Sequence, residues 1–591
     1  MGLLQKAVET YDANASLIGV YREGQDPLAP VGHALTSADI EITLGRDGRF
    51  LAARKVEKGE PKALIPVTEE SAGRTSGLAA HPLCEQVKYI SGENEAAYLL
   101  YMQGLQDWLE SEDTHPFLQP IFSYVKGRTL TRDLSAAGIL RGGEKDSEGL
   151  LAVWRVNGFE EEEPACWKNK NLFGAFERYY CKKIFERERV LCMLEGKEVP
   201  LAAQHPKGIV PINGNAKLIS ANDTDGFTYR GRFSQAGQAA AVGYIASQKA
   251  HNALRWLVGG QGIRSGNRVF LCWNPQGKVI PSPMRRFSGE RESPARKPSD
   301  YKKQLFGTLQ SLREESCLKD TDSAILAAFD AATNGRLAVT YYNEIVIKPF
   351  LDRMHTWDAH CCWYSGSYGI EAPDLFTLVD CAFGTQRGGW LETDSRVQSQ
   401  QLQRLLNSKV GGGVFPRDIV QALVNRASTP LAYSVAVWHR ILQCACAALQ
   451  KYRYDIQQGG EEMAWELDKK NRSFQYGRLL AIMERIEEDY YYKSQENRQT
   501  NAMKFMAEFR QRPFSVFERL NRHLHQAYLC RVEPWQADRY DKLTGEVFGI
   551  LSEFPEEMLN KPLEDLYLMG YELQRNAFFV KKQTKAETEE E

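Results

Sequence analysis

The period of the hydrophobic pattern changes along this chain, and that change limits what it can fold into. Leu479, Ile482, Met483 and Ile486 recur at i, i+3, i+4 and i+7, and Leu566, Met569 and Leu573 repeat the theme, which puts each set on one face of a helix. Pro513, Pro534, Pro555 and Pro562 separate such segments, since proline cannot donate the amide proton that a helix interior needs. The N-terminal part reads differently. Leu3, Leu4, Ala7, Val8 and Tyr11 predict an opening helix, but residues 39–44 and 50–56 then flank Asp47-Gly48, a dipeptide suited to a hairpin turn. The expectation is an α+β chain, with a mixed N-terminal α/β region followed by a C-terminal α-helical bundle.

A chain of 591 residues is too long for one core. Residues 281–303 carry four prolines, few apolar residues and a positive balance, which predicts a basic linker or loop. The expected division is 1–280 as the mixed α/β region, 281–303 as that linker, 304–460 as a mixed, mainly helical middle, and 463–591 as the bundle. Residues 337–342 in the middle part read as a strand, and Pro416 opens a helix with Ile419, Leu423 and Val424 on one face. Gly411 to Gly413 precede that helix without the lysine and hydroxyl of a phosphate-binding loop, which argues against nucleotide binding. No cofactor is expected.

Lys and Arg (74) nearly balance Asp and Glu (76), so any contact with nucleic acid has to come from local clustering. Twelve cysteines include no C-x-x-C pair, and reduced thiols in a cytoplasm suit that usage better than a zinc ribbon or a disulfide framework. The N-terminus lacks a basic, then apolar, leader, and no apolar run approaches the roughly 18 to 20 residues that span a bilayer. The reading is a soluble, cytoplasmic protein with no membrane partner.

Residues 209–232 are short of carboxylates and rich in nucleic-acid-gripping groups: Asn213, Asn215, Lys217, Ser220, Asn222, Thr228, Tyr229, Arg230 and Arg232. The same residues also suit a plain polar loop, because Asn and Gly clusters mark turns. Arg74 and Thr75 sit in a Ser-Ala-Gly-Arg-Thr-Ser-Gly stretch from which a guanidinium reaches a groove or a phosphate. Lys126, Arg128, Thr129 and Arg132 make another short basic segment. Residues 167–185 interleave Trp167, Phe173, Phe176, Tyr179 and Tyr180 with lysines, a pattern that serves base stacking or, at helical spacing, a core. Between residues 469 and 531 cations outnumber carboxylates, with Arg472, Arg478, Lys504, Arg510, Arg512 and Arg519 as candidates to line a single-strand track.

These stretches, read with their flanks, resemble a known family. Gly196, His205 and Pro206 before the polar stretch, Leu218 to Asn222 within it, and Ala253, Leu254 and Asn252 after it follow an order similar to the large subunit of the type I-C CRISPR surveillance complex, Cascade. Ala221, Thr228 and Arg230 depart from that order. Pro66, Arg74, Thr75, Gly77, Pro82, Leu83, Cys84, Tyr89 and Gly92 resemble its N-terminal pattern, and Tyr476-Gly477-Arg478-Leu479 with Gly570-Tyr571 and Gln574-Arg575 its C-terminal signatures.

The resemblance implies a non-catalytic subunit that recognises the protospacer-adjacent motif in double-stranded DNA, helps form the R-loop and docks the helicase-nuclease. It also implies contact with the displaced single strand, the guide-RNA complex with its backbone and foot subunits, and small subunits. Arg74, Thr75, Asn213, Asn215 and Lys217 would contact the motif; Lys126, Arg128, Arg230, Arg232 and the C-terminal cations would hold phosphates. Gly459-Gly460-Glu461-Glu462 before Met463 has purine-rich codons similar to a ribosome-binding site, and the resemblance implies that Met463 starts a separately translated small subunit. Two other readings stand beside this one. Asp352, His355, Asp358, His360, Cys361, Cys362 and Cys381 would be the ligands of a metal-dependent CRISPR nuclease, and a purely structural scaffold would need no nucleic acid at all.

Overall fold

The computed structural model describes residues 2–74, 77–140, 145–220, 231–286, 294–333, 335–366, 369–457, 467, 469–496 and 498–587. The chain is α+β: strands and sheets concentrate toward the N-terminus and helices toward the C-terminus. It divides into two compact units, Met1–Val279 with Ser323–Ile345, and Ile280–Asp322 with Val346–Glu591.

The first unit carries two four-stranded sheets. In one, Ile40–Leu44 pairs in parallel with Leu151–Val156 and antiparallel with Phe50–Lys55 across the Asp47-Gly48 turn, as the dipeptide predicts. The other runs Arg336–Val346, Ser323–Thr333, Arg268–Trp273, Ile263–Ser265. The strand–strand pair at residues 323–346 therefore completes a sheet of the first unit, although 304–460 reads in sequence as one region. Ser323–Thr333 is buried along most of its length, with Val269 opposite Phe329 and Leu271 opposite Ala327. Strand pairing and apolar burial together bring a distant segment home.

The helix Lys170–Phe185 begins where the Asn169 side chain accepts from the Leu172 amide. Its Phe173, Phe176, Tyr179 and Tyr180 are buried, with Phe176 edge-on to Trp108 at 5.1 Å and stacked on Tyr180 at 5.6 Å. The aromatic residues of 167–185 thus serve the core, while Lys182 turns outward to Asp113. The opening helix Leu3–Ala13 packs on Tyr244–Gln261 and is tied there by Lys249 to Asp12 at 2.7 Å.

In the second unit, the described parts of the expected linker, residues 281–286 and 294–303, contribute to the packed interior. Met284 and Ala295 are buried, and a helix runs Pro298–Glu315, its Tyr301 and Leu305 in a small core with Ala359, Cys362 and Ile370. The C-terminal helices are organised by one close crossing, between Arg472–Ser494 and Tyr567–Glu587. A Cβ on Gly477 would stand 1.9 Å from the Tyr567 carbonyl oxygen, and one on Gly570 would stand 2.0 Å from that of Phe474. Only hydrogen fits at either point.

Gly477→Ala is therefore expected to force the two helices apart and to destabilise the second unit by about 2 kcal/mol or more. Gly104→Ala, inside the helix Glu95–Leu109 with open space where its Cβ would go, is expected to stabilise by roughly 0.5–1 kcal/mol. Thermal unfolding of both variants beside the parent chain checks the pair; an unchanged midpoint for Gly477→Ala would contradict the crossing.

Candidate nucleic-acid interface

A cleft of about 680 Å³ opens in the first unit. One wall is the helix Tyr244–Gln261, and facing it run the strands His33–Thr36 and Ala63–Pro66 and the loop around residues 204–214. That loop is pinned at both ends. Ile209, Val210 and Ala216 are buried in the core, and Lys217 joins the neighbouring sheet, its amide donating to the Gly335 carbonyl at 3.1 Å and its carbonyl accepting from Leu337 at 3.0 Å. Gly208 turns the chain at φ +75°, close under the Gly214 carbonyl, a conformation that a side chain would strain.

Cations converge on this loop. The Arg255 guanidinium donates to the carbonyls of Lys207 (2.5 Å) and Gly208 (3.2 Å), and Lys207 Nζ donates to the Arg74 carbonyl at 3.3 Å. Among the described residues no carboxylate pairs with Lys207, Lys217 or Arg255. Burial lowers the pKa of all three; the positive charge of Arg74 adds to the effect at Lys207, and that of Lys207 at Lys217. Such desolvated, uncompensated cations are poised for an anion. Lys207 and Arg255 escape a reading by local composition; the available signal is that Arg255 follows Asn252 by three residues and so shares its helix face.

Histidines line the same cleft without adding charge. Burial lowers His33 and His81 to about 4 and His205 to about 3. Behind them His251, also lowered to about 4 by burial, stacks on His205, and Ser247 Oγ lies 2.8 Å from His205 Nδ1. The cleft is lined by Lys62, Arg74, Lys207 and Arg255 together with Asp26, Asp39 and Glu69, so basic and acidic side chains share it.

Of the residues singled out in sequence, Arg74 reaches the cleft but is not a free guanidinium. It forks onto Glu85 at 2.6 and 2.8 Å and donates to the Ala79 carbonyl, over the Tyr89 ring. Asn213 is spent on the Ala331 carbonyl, whereas Asn215 is exposed. Arg232 is exposed beside Phe233. Lys126 is exposed, and Arg128 forks onto Glu95 over the Tyr98 ring. Thr75, Arg230 and Met463 lie outside the described residues.

In the second unit two expectations need correcting. Arg472 is buried and donates to the carbonyls of Leu559, Lys561 and Pro562, and Arg478 is buried on Gln574 and the Leu467 carbonyl. Both were expected on a strand track, but helix packing consumes them. Arg510 bridges Asn425 and Asp565 at 2.9 Å each, and Arg519 pairs with Glu508 at 2.6 Å. Lys504 and Arg512 are exposed, with no side-chain hydrogen bond or ion pair among the described residues. The Asp352-to-Cys362 run does not converge: Asp358 pairs with Lys409 in the interior, His360 stacks on Tyr454, and Cys361 and Cys362 are buried. Among the described residues no three His, Cys, Asp or Glu side chains group to hold a metal ion, and no helix is long and apolar enough to cross a membrane.

The chain is a CRISPR-associated protein. Residues 9–579 match the model of the family Cas_Csd1, and the chain belongs to that family, which is the large subunit of type I-C Cascade. No curated protein matches it.

Two outcomes follow from this geometry. Arg74→Ala takes its paired guanidinium from the fully buried Glu85 carboxylate, which keeps the amides of His81 and Gln86, and is expected to destabilise by about 3 kcal/mol; adding Glu85→Gln should recover part of the loss in thermal melts. The four histidines have folded pKa values below the ordinary 6.5, so the folded chain binds fewer protons than the unfolded one. Their contribution is intact above about pH 6.5 and is lost as pH falls toward 4, opposed by Glu69, whose pKa burial raises. Urea unfolding with a pH-stat should show proton uptake at pH 5.5 and little at pH 7.5; equal uptake at both would contradict buried neutral imidazoles.

Proposed function

We propose that this chain is the non-catalytic large subunit of a type I-C Cascade, which recognises the protospacer-adjacent motif in double-stranded DNA, promotes R-loop formation and recruits the helicase-nuclease. The observation that supports it best is the loop with Lys207 and Lys217 held by Arg255, cations without carboxylate partners among the described residues, which suit a phosphate backbone. In this reading Asn215 and Lys217 meet the duplex at the loop, and Arg74 holds the wall behind them through Glu85. Lys126, Lys504 and Arg512 supply exposed charge for the displaced strand, and the helical module after Met463 is also translated alone as a small subunit.

The physical economy of the scheme supports it. Exchanging a DNA duplex for a guide–target heteroduplex is close to balanced, so a protein that reads a short motif and holds phosphates tips it without cleaving anything. In the assembled complex, Lys207→Gln with Lys217→Gln should weaken binding to every duplex and lower the slope of log affinity against log salt by about 0.9 per lost phosphate contact. Asn215→Ala should instead narrow the gap between motif-bearing and motif-lacking DNA. Unchanged affinity and unchanged discrimination in both variants would remove this cleft from DNA recognition.

A further inference from the structure

Residues 207–217 form a closed loop. The Gly208 amide donates to the Ala216 carbonyl at 3.2 Å, and Lys207 and Lys217 face each other across an antiparallel bridge. Like charges set opposite one another on paired backbone repel, and both lysines are half-buried, where screening is weaker than in open water. The base of this loop therefore needs a restraint, and the helix Tyr244–Gln261 supplies it. Ser247, His251 and Arg255 recur at i, i+4 and i+8 and share one face of that helix. Ser247 Oγ lies 2.8 Å from His205 Nδ1, and the His251 ring stacks on that of His205 at 5.9 Å. One turn on, Arg255 donates to the Lys207 and Gly208 carbonyls at 2.5 and 3.2 Å. Elsewhere the segment is tied by the Gln204 amide, which donates to Glu69 at 3.0 Å, and by Asn213, which donates to the Ala331 carbonyl.

We propose that Arg255 is a positioning residue for DNA recognition: its fork over two consecutive carbonyls holds Lys207 beside Lys217 against their repulsion, and it acts through that loop without touching nucleic acid. The inference rests on the duplex-recognition reading and adds the residue that sets the loop's shape. A loop ordered before binding is spared the entropy cost of ordering on binding. Order also sharpens discrimination, because Asn215, two residues before Lys217, then keeps one position relative to the bridge. Ser247 with His205 is a second, weaker hold on the same segment. Lysine is no substitute for Arg255, since an ammonium is a point donor on a flexible stem and the planar guanidinium reaches both carbonyls at once.

The test reads Arg255→Lys, which keeps the charge and loses the fork, in two ways. In the full chain, hydrogen exchange followed by mass spectrometry should show the amides of residues 207–217 exchanging at least about tenfold faster than in the parent, with the strand Ser323–Thr333 unchanged. In the assembled complex, the ratio of affinities for motif-bearing over motif-lacking duplex should fall at least about fivefold, with the slope of log affinity against log salt unchanged. Ser247→Ala, which removes only a hydroxyl, should move both readouts the same way by a smaller factor, whether or not the arginine variant folds. Parental exchange in the loop overturns the proposal, as does equal acceleration across the whole first unit. Parental discrimination in Arg255→Lys beside a slope lowered by about 0.9 in Arg255→Gln would make Arg255 a phosphate contact and overturn it too. Faster loop exchange in the variant, beside a parent complex that does not discriminate, would remove the duplex reading and leave the hold of Arg255 on the loop standing.

Discussion

The arrangement of the cleft depends on one guanidinium. Arg255 donates to two consecutive backbone carbonyls, those of Lys207 and Gly208, and so fixes the loop to the helix that faces it. A carboxylate in that place would have neutralised the charge; carbonyls satisfy the N–H groups and leave the cation uncompensated. The loop then places Lys207 and Lys217 close enough that the charge of the first depresses the pKa of the second. Structure and electrostatics are the same set of bonds here.

The opposite arrangement holds the second unit together. Gly477 and Gly570 let two long helices approach to backbone contact, and the polar residues around the crossing pair with one another. Arg478 meets Gln574, and Arg575 lies among Glu484, Glu488 and Glu572 while donating to His439 Nδ1. Burial raises the pKa of all three of these carboxyls. Burial, and then the positive charge of Arg575, lower the His439 imidazole to about 3. Arg478, Glu484 and Glu572 are buried at this crossing, and Arg478 and Arg575 are held by partners within the same unit. A cation count over the sequence cannot separate them from Lys504 and Arg512, which face water.

This contrast explains which residues were readable. The Asp47-Gly48 hairpin, the opening helix and the helices of the C-terminal part follow from local rules: turn chemistry, apolar spacing and proline breaks. The family resemblance also lies in the one-dimensional order, because its motifs run through Arg74, Asn252, Gly477 and Arg575 in sequence. Roles did not follow in the same way. Arg472 and Arg478 read in sequence as a cationic track and turn out to be buried, and the aromatic run of 167–185 has the spacing of both a stacking platform and a core.

The sequence alone determined the α+β class, the elements that local chemistry dictates and the family to which the chain belongs, since each depends on residues near one another in the chain or on their order. Tertiary structure decided the rest. It carried residues 323–345 back to a sheet formed before residue 280 and set Arg255 against the Lys207 carbonyl. Whether a charge is free or spent is a property of what the fold brings beside it, and a partner tens or hundreds of residues away leaves no local trace.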